Sequence, residues 1–247
     1  MEARIAGMIK ISDQDKHLIE KRQNGDYFMK VYFMRHGETD WNAQVRLQGC
    51  ADVPLNENGR RLAKVTGEAL KEIPFDVAYS SPLSRAVETA ELVLGDRKVP
   101  IITDERIKEI SFGDWEGRRC KKEFNEIPQD MLDHFFREPD KYVAPPNGET
   151  FEQILSRTRA FYDELVQKSE YENSNILVSS HGAAVRAILQ CVYRDGNYWQ
   201  NGVPKNCAIT IVEIKGGEII SVEPDRIFYD PDETPTASSF NKLFNRE

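Results

Sequence analysis

The sequence has few of the features that mark membrane-spanning, secreted or metal-binding proteins. Its apolar runs fall short of the roughly 20 residues that a helix needs to cross a bilayer, and no signal-peptide apolar segment opens the chain. The four cysteines include no CxxC pair and no zinc-ligand spacing, so free or buried thiols in a reducing compartment are expected. There is no internal repeat and no low-complexity tract. These absences predict a cytoplasmic protein that does not bind a membrane.

Positive charge is also in deficit. The chain has 33 Lys and Arg against 41 Asp and Glu, a net charge of −8 at pH 7. This balance argues against nucleic acid or an anionic membrane as the main partner. An anionic ligand would therefore have to meet basic residues concentrated at one place. With 247 residues, 40% of them apolar, the chain is long enough for one α/β domain with a substantial core.

Composition divides the chain into three parts. Residues 1–28 are predicted to form an N-terminal extension with one short helix. Residues 29–225 form the predicted domain, in which the aromatic and proline-punctuated segment 120–146 is expected to be a lid or one wall of a ligand pocket. Residues 226–247 are predicted to be a loose C-terminal tail. The oligomeric state and the roles of the two ends stay open.

Apolar runs that alternate with amphipathic segments predict an α/β fold with a mostly parallel sheet. Strands are predicted at 31–34, 76–80, 99–103 and 174–180, followed by a hairpin-like pair at 207–214 and 218–222. Asn56 is a predicted helix N-cap, and Thr150 opens a capping box. Ser81 is predicted to cap the helix after the second strand, with Pro82 at its first position.

Polar, chemically competent side chains follow four of these strands. Arg35 and His36 follow the first strand, and Arg85 falls in the first turn of the helix after the second. Glu109 follows the third strand and His181 the fourth. Because the carboxyl ends of parallel strands share one edge of a sheet, these five groups are expected to converge.

Taken singly, each residue is also compatible with a structural role. His36 could cap a turn, Arg85 could pair with Glu88 on its own helix, and Glu109 could be a solvated loop residue. Taken together, two guanidiniums, two imidazoles and a helix N-terminus make a poor metal site, because arginine repels a cation. They suit a tetrahedral dianion, with His36 as a candidate nucleophile.

Four sequence blocks resemble the histidine phosphatase superfamily, in its phosphoglycerate-mutase-like branch. They are RHGET at 35–39, SPLSRAVET at 81–89, EISFGDWEG at 109–117 and SHG at 180–182. The resemblance extends over about residues 29 to 223, in the family's order and rough spacing. It implies a three-layer α/β/α sandwich around a mostly parallel central sheet.

The resemblance also implies roles for individual residues. His36 would be the nucleophile that carries a phosphohistidine, and Glu109 the proton donor. The implied phosphate-binding set is Arg35, Asn42, Gln48, Arg85, His181 and Gly182. The ligand would be a small-molecule phosphate ester, and no metal ion or other cofactor is implied.

Members of this family either hydrolyse a phosphomonoester or move a phosphoryl group within phosphoglycerate. The block that begins at Glu109 resembles that of the broad-specificity and α-ribazole phosphatases. It departs from the mutase sequence NERHYG, in which a basic residue and a tyrosine bind the substrate carboxylate. The interval from Glu109 to His181 is too short for the long mutase insertion, and the lid segment is aromatic rather than basic. These features favour a metal-independent phosphatase. A phosphoglycerate mutase and a non-catalytic module that binds a phosphorylated ligand remain the alternatives.

Overall fold

The computed structural model of the protein describes residues 28–120 and 126–230. The short helix predicted in the N-terminal extension lies outside these ranges, as do residues 121–125 of the predicted lid and 231–247 of the predicted tail. Within the described ranges, no helix is both long enough and apolar enough to cross a membrane.

Six strands form a single mixed sheet in the order β3-β2-β4-β1-β5-β6. β1 to β4 run parallel to one another, whereas β5 is antiparallel to β1, and β6 to β5. The central strands β1 and β4 are buried almost throughout, as strands covered on both faces must be. The strand bounds are β1 Met29–Arg35, β2 Phe75–Ser80, β3 Ile101–Thr103, β4 Asn175–Ser180, β5 Ile209–Lys215 and β6 Glu218–Arg226.

Helices cover both faces of the sheet. On one face, Val31 and Phe33 of β1 pack in a cluster with side chains of α5 and α6. On the other face, Tyr32 and Met34 pack in a cluster with side chains of α2 and α3. The predicted three-layer α/β/α sandwich is therefore confirmed. The helix bounds are α1 Asp40–Ala43, α2 Glu57–Ala69, α3 Ser84–Leu94, α4 Gln129–Arg137, α5 Phe151–Gln167 and α6 Gly182–Tyr193.

Two of the three predicted helix starts are confirmed. The side chain of Asn56 accepts a hydrogen bond from the Gly59 amide, and Thr150 forms a capping box with Gln153. The prediction for Ser81 and Pro82 is wrong, because α3 begins at Ser84 and the preceding Leu83 is extended. The Ser81 hydroxyl is used elsewhere, in a hydrogen bond to His181.

The outer strands also differ from the sequence prediction. β3 is shorter than predicted, since Pro100 lacks an N–H group and pairing with β2 begins only at Ile101. β6 continues to Arg226, and Phe228 and Tyr229 are buried in the cluster that contains α2 and α3. The polypeptide therefore contributes to the folded domain beyond the predicted boundary at residue 225.

The predicted lid segment contributes to a third hydrophobic cluster, which lies at one side of the site. α4 is held by the Trp199 indole, whose Nε1 donates a hydrogen bond to the Phe135 carbonyl at 2.6 Å. The Phe135 ring meets the Trp199 ring edge to face, with centroids 5.2 Å apart. The aromatic members of this cluster are Phe112, Phe135, Phe136, Tyr142, Phe151, Tyr198 and Trp199.

Candidate active site

The register of three adjacent strands brings the predicted site residues together. Arg35 at the end of β1 pairs with Ser180 at the end of β4, and Ser80 at the end of β2 pairs with Ser179. The residues that follow β1 and β4 are His36 and His181, and their ring centroids lie 5.1 Å apart. The predicted convergence at the carboxyl edge of the sheet is therefore present.

The ring of His36 is held in one tautomer. Its Nδ1 lies 2.6 Å from the carbonyl oxygen of Gly37, which can only accept a hydrogen bond. The proton must therefore be on Nδ1, which leaves a lone pair on Nε2. The next residue has to be a glycine, because a Cβ atom on Gly37 would lie 2.7 Å from the carbonyl oxygen of Gly59.

Both predicted arginines are buried beside this ring and are only partly satisfied. Arg35 donates to the Pro204 carbonyl at 2.6 Å, and Arg85 donates to the carbonyls of Ala51 and Gly49 at 2.7 and 2.8 Å. In the described structure the Nε atoms of both arginines are buried without a hydrogen-bond partner. Buried N–H donors are nearly always paired, so the two guanidiniums retain donor capacity with which an anion could be bound.

The alternative ion pair between Arg85 and Glu88 is not formed. Glu88 instead binds Arg60 of α2, with 2.6 Å between Oε1 and Nε. Arg85 lies in the first turn of α3, as predicted, and is fully buried.

His181 is held by a residue whose role the sequence analysis missed. Its Nε2 lies 2.7 Å from the hydroxyl of Ser81, which also accepts a hydrogen bond from the Leu83 amide at 3.3 Å. We infer that the hydroxyl donates to Nε2, since its oxygen already accepts from Leu83, and this arrangement places the imidazole proton on Nδ1. That Nδ1 is also buried without a hydrogen-bond partner in the described ranges. The only sequence indication was a serine directly after a strand, which equally suits an N-cap.

Asn42 and Gln48 lie on one buried polar network at the cleft. The Thr39 hydroxyl lies 3.2 Å from Oδ1 of Asn42 and 2.9 Å from Oε1 of Gln48, and Asn206 donates to the same Oδ1 at 3.3 Å. These contacts fix Oδ1 of Asn42 as an acceptor, and both Asn42 and Gln48 line the cleft. Thr39 and Asn206 were not identified from the sequence.

Glu109 reaches the site through the N-terminus of α6. Its Oε1 accepts hydrogen bonds from the amides of Ile110 and Ala184, both at 3.0 Å, and its Oε2 accepts one from Ala183 at 3.2 Å. A Cβ atom placed on Gly182 would lie 3.7 Å from Oε2 of Glu109 and 3.8 Å from Nε of Arg35. Gly182 therefore separates the carboxylate from the guanidinium. The alternative of a solvated loop residue is wrong for Glu109, because backbone amides bind both of its carboxylate oxygens.

Of the predicted site residues, all but His181 line a cleft of about 500 Å³, including its open mouth. His181 is fully buried beside it, with its ring centroid 5.1 Å from that of His36. The polar floor contains Arg35, His36, Arg85 and Glu109, and the wall is apolar. Of the predicted lid residues, Phe135 and Phe136 line the cleft, and His134 lies outside it, with Nε2 3.9 Å from a carboxylate oxygen of Glu138. The remaining apolar lining residues are Leu47, Phe112, Ala183, Trp199 and Val203.

Comparison with protein families decides the identity of this arrangement. Residues 31–224 match the model of the histidine phosphatase superfamily, branch 1. The chain belongs to this superfamily. The match covers every residue of the site described above.

Relatives within the superfamily include both phosphatases and mutases. The chain is 36% identical to the uncharacterized phosphatase PhoE of Bacillus subtilis over 159 residues. The aligned region covers 64% of this chain and 75% of PhoE. It is also 35% identical to 2,3-bisphosphoglycerate-dependent phosphoglycerate mutase 2 of Gloeobacter violaceus over 163 residues. The aligned region covers 64% of this chain and 73% of the mutase. Among solved structures, YhfR of Bacillus stearothermophilus matches with a TM-score of 0.72 at 33% identity, over 81% of this chain and 98% of YhfR.

The electrostatics of this member of the histidine phosphatase superfamily keep both imidazoles neutral. Burial is the main cause that lowers the pKa of His36 well below its usual value, and the charges of Arg85 and Arg35 lower it further. The pKa of His181 is lowered in the same way, mainly by burial and then by Arg85. Burial also lowers the pKa of the Arg85 guanidinium to about 10. At neutral pH the site therefore combines cationic guanidiniums with uncharged imidazoles.

We expect these imidazoles to make stability depend on pH. Between pH 6.5 and the depressed pKa of His36, the unfolded chain binds a proton that the folded protein does not, so stability falls as the pH falls. The slope is about 1.4 kcal/mol per pH unit for each such histidine. Denaturant titrations measure the free energy of unfolding. Below pH 6.5, the value for the unaltered protein minus the value for His36→Gln should fall by about 1.4 kcal/mol per pH unit. If the free energies of unfolding of the two proteins change equally with pH, the pKa of His36 is not lowered in the folded protein.

Ser81→Ala should lower kcat about tenfold, which corresponds to about 1.4 kcal/mol. Without the hydroxyl, the His181 imidazole is free to carry its proton on Nε2, and Nδ1 then cannot donate to an anion. Ser84→Ala is the matched control, since Ser84 lies in the same segment but its hydroxyl binds Asp52 at 2.7 Å. Steady-state kinetics at a temperature where both variants are folded provide the measurement. Equal rates for the two variants would refute the role of Ser81.

Proposed function

We propose that this protein hydrolyses phosphomonoesters through a phosphohistidine on His36. One observation carries the proposal: Arg35 and Arg85 line the same cleft as His36, and their Nε atoms are buried without partners in the described structure, while the Nδ1 proton of His36 leaves a lone pair on Nε2. A phosphoryl group supplies the oxygens that such donors require. It also supplies the phosphorus atom that a neutral imidazole can attack.

In the first step, Nε2 of His36 attacks phosphorus and the bond to the ester oxygen breaks. The electron pair of that bond leaves with the alkoxide, which takes a proton from the carboxyl group of Glu109. Arg35, Arg85, His181 and Asn42 hold the phosphoryl oxygens, and the Gly37 carbonyl stabilises the His36 ring as positive charge develops on it. Charged hydrogen bonds of this kind are worth roughly 1.5–3 kcal/mol each.

In the second step, water attacks the phosphohistidine from the position that the alcohol has left. The carboxylate of Glu109 takes a proton from this water, and the bond between phosphorus and Nε2 breaks. The imidazole is then neutral again with its proton on Nδ1. Over the two steps, one ester and one water become one alcohol and one inorganic phosphate.

The wall of the cleft favours hydrolysis over transfer within phosphoglycerate. Seven of the lining side chains are aromatic or aliphatic, and such a surface offers few partners to a substrate carboxylate. The additional arginine that lines the cleft, Arg46, already donates to Gln44 at 2.7 Å and to the Gly117 carbonyl at 2.6 Å. An alcohol group with an apolar or aromatic body fits this wall better than glycerate does.

Incubation with p-nitrophenyl phosphate in the presence of a chelator tests the proposal. We expect steady release of nitrophenolate over many turnovers, with equimolar inorganic phosphate. Binding of the ester without turnover would refute the proposal and favour a phospho-ligand-binding module. A second incubation with 3-phosphoglycerate and 2,3-bisphosphoglycerate tests the mutase alternative, and faster isomerisation than hydrolysis there would overturn the assignment as a phosphatase.

A further inference from the structure

The backbone that carries Glu109 is held in an unusual way. Four successive carbonyl groups, those of residues 106 to 109, each accept a hydrogen bond from a side chain. Ser180, the residue before His181, donates to the Ile107 carbonyl at 2.8 Å. The other three carbonyls are bound by one residue, Arg157 of α5.

Arg157 uses both terminal nitrogens of its guanidinium for this contact. Nη1 donates to the carbonyls of Arg106 and Lys108, both at 2.7 Å, and Nη2 donates to the carbonyl of Glu109 at 3.0 Å. A planar guanidinium presents its donors in a fixed fork, so binding three carbonyls at once constrains the path of this segment. Lysine could not reproduce this pattern with its single nitrogen.

Glu149 completes the arrangement on the other side of Arg157. Its carboxylate accepts from Nε of Arg157 at 2.6 Å and from Nη2 at 2.7 Å. The Glu149 amide donates to the Ser111 carbonyl at 2.8 Å, and its Oε2 accepts from the Ser111 amide at 3.3 Å. The backbone is thus held by Arg157 up to residue 109 and by Glu149 at residue 111.

These contacts determine where the Glu109 side chain lies. Its backbone carbonyl is bound by Arg157, while its carboxylate meets the amides of Ala183 and Ala184 at the start of α6. Arg157 itself does not line the cleft. Its direct hydrogen bond toward the site is the one to the Glu109 carbonyl, and its positive charge also contributes to lowering the pKa of His181.

We propose that Arg157 is a positioning residue for the proton-transfer step, and that with Glu149 it fixes the Glu109 carboxyl group beside the leaving oxygen. This inference rests on the proposed phosphatase function. A carboxyl group displaced by about 1 Å can lose on the order of 100-fold in rate, because proton transfer needs a hydrogen-bonded geometry. The hydrogen bonds of Arg157 go to Glu149 and to the carbonyls of residues 106, 108 and 109, so we expect the attack of His36 on phosphorus to depend on Arg157 less than proton transfer does.

Arg157→Gln and two substrates test the proposal. Benzyl phosphate releases an alkoxide that needs a proton, whereas p-nitrophenyl phosphate releases nitrophenolate, which does not. We expect Arg157→Gln to lower kcat for benzyl phosphate by about 10- to 100-fold and kcat for p-nitrophenyl phosphate by less than about threefold. Arg157→Lys should recover part of the loss, because its ammonium can still bind one carbonyl and Glu149.

Arg106→Gln is the matched control. Arg106 also ties this segment to α5, through Glu164 at 2.8 Å, but its side chain does not bind the Glu109 carbonyl. This variant should show no difference between the two substrates. Glu149→Gln keeps the shape of the side chain and removes the ion pair with Arg157. It should therefore also lower kcat more for benzyl phosphate than for p-nitrophenyl phosphate, by a smaller factor than Arg157→Gln does. This second variant tests the proposal even if Arg157→Gln does not fold.

The outcomes separate this inference from the proposed function. Equal losses of kcat on both substrates, or no loss on either, would overturn the positioning role. In another outcome, Glu109→Gln loses more kcat on benzyl phosphate than on p-nitrophenyl phosphate while Arg157→Gln and Glu149→Gln lose equally on both. That result would overturn only the positioning role of Arg157 and leave Glu109 as the proton donor. If the unaltered protein hydrolyses neither ester, the proposed function fails first.

Discussion

His36→Ala should abolish turnover and the formation of acid-labile phosphate on the protein. Removal of a nucleophile that forms a covalent intermediate leaves only the slow direct attack of water on the bound ester. In a well-studied hydrolase, loss of the nucleophile costs about 2 × 10⁶ in kcat, and we expect at least a 10⁴-fold loss here. Rapid acid-free quenching with radiolabelled ester, followed by alkaline electrophoresis, measures the intermediate.

The matched control for this variant is His134→Ala. His134 lies on α4 outside the cleft, and its Nε2 is 3.9 Å from a carboxylate oxygen of Glu138. This variant should retain the full rate and the same yield of phosphoprotein. Retention of turnover in His36→Ala, with a folded protein, would refute His36 as the nucleophile.

Glu109→Gln should have the second largest effect, and the effect should depend on the leaving group. General acid catalysis contributes about 10²- to 10⁴-fold, so we expect a loss in this range for benzyl phosphate. Nitrophenolate leaves without a proton, and the loss for p-nitrophenyl phosphate should be much smaller. Single-turnover measurements of phosphohistidine formation separate this step from its later hydrolysis.

Glu105→Gln is a suitable control for the carboxylate. Glu105 lies four residues earlier in the same segment, is largely exposed and pairs with Lys108 at 3.2 Å. Its replacement should leave both substrates unaffected. An equal loss of rate on both substrates in Glu109→Gln would count against Glu109 as the proton donor.

The two predictions probe different parts of the site. His36 depends on the β1 end and on the Gly37 carbonyl, whereas Glu109 depends on the N-terminus of α6 and on Arg157. Their effects on phosphohistidine formation should therefore differ in kind. The first removes the intermediate for every ester, and the second slows its formation only where the leaving oxygen needs a proton.

Much of the fold was predictable because its causes are local. The buried strands appear as short apolar runs, and the caps at Asn56 and Thr150 use side chains that bind amides three residues away. The polar residues at strand ends also pointed to one edge, since parallel strands all present their carboxyl ends there. The family blocks added the roles of His36, Arg85 and Glu109 to this framework.

The errors occur where a distant partner competes with a local preference. Ser81 has the sequence context of a helix cap, but its hydroxyl binds an imidazole 100 residues later, and α3 begins at Ser84 instead. Phe228 and Tyr229 lie in a segment with the composition of a loose tail. They are buried because β6 delivers them to the core beside α2 and α3.

The sequence by itself determined the fold class, the family and the residues that meet at the sheet edge, because periodicity, capping and motif order are properties of the chain read in one dimension. Only the tertiary structure decided which atoms of those residues are left for a ligand. The hydrogen bond from Nδ1 of His36 to the Gly37 carbonyl leaves a lone pair on Nε2. Arg35 and Arg85 donate to loop carbonyls through their terminal nitrogens, and their Nε atoms have no partner in the described structure. Arg157 and Ser81 act through contacts between residues far apart in sequence, and such contacts leave no periodic or local trace from which they could be predicted.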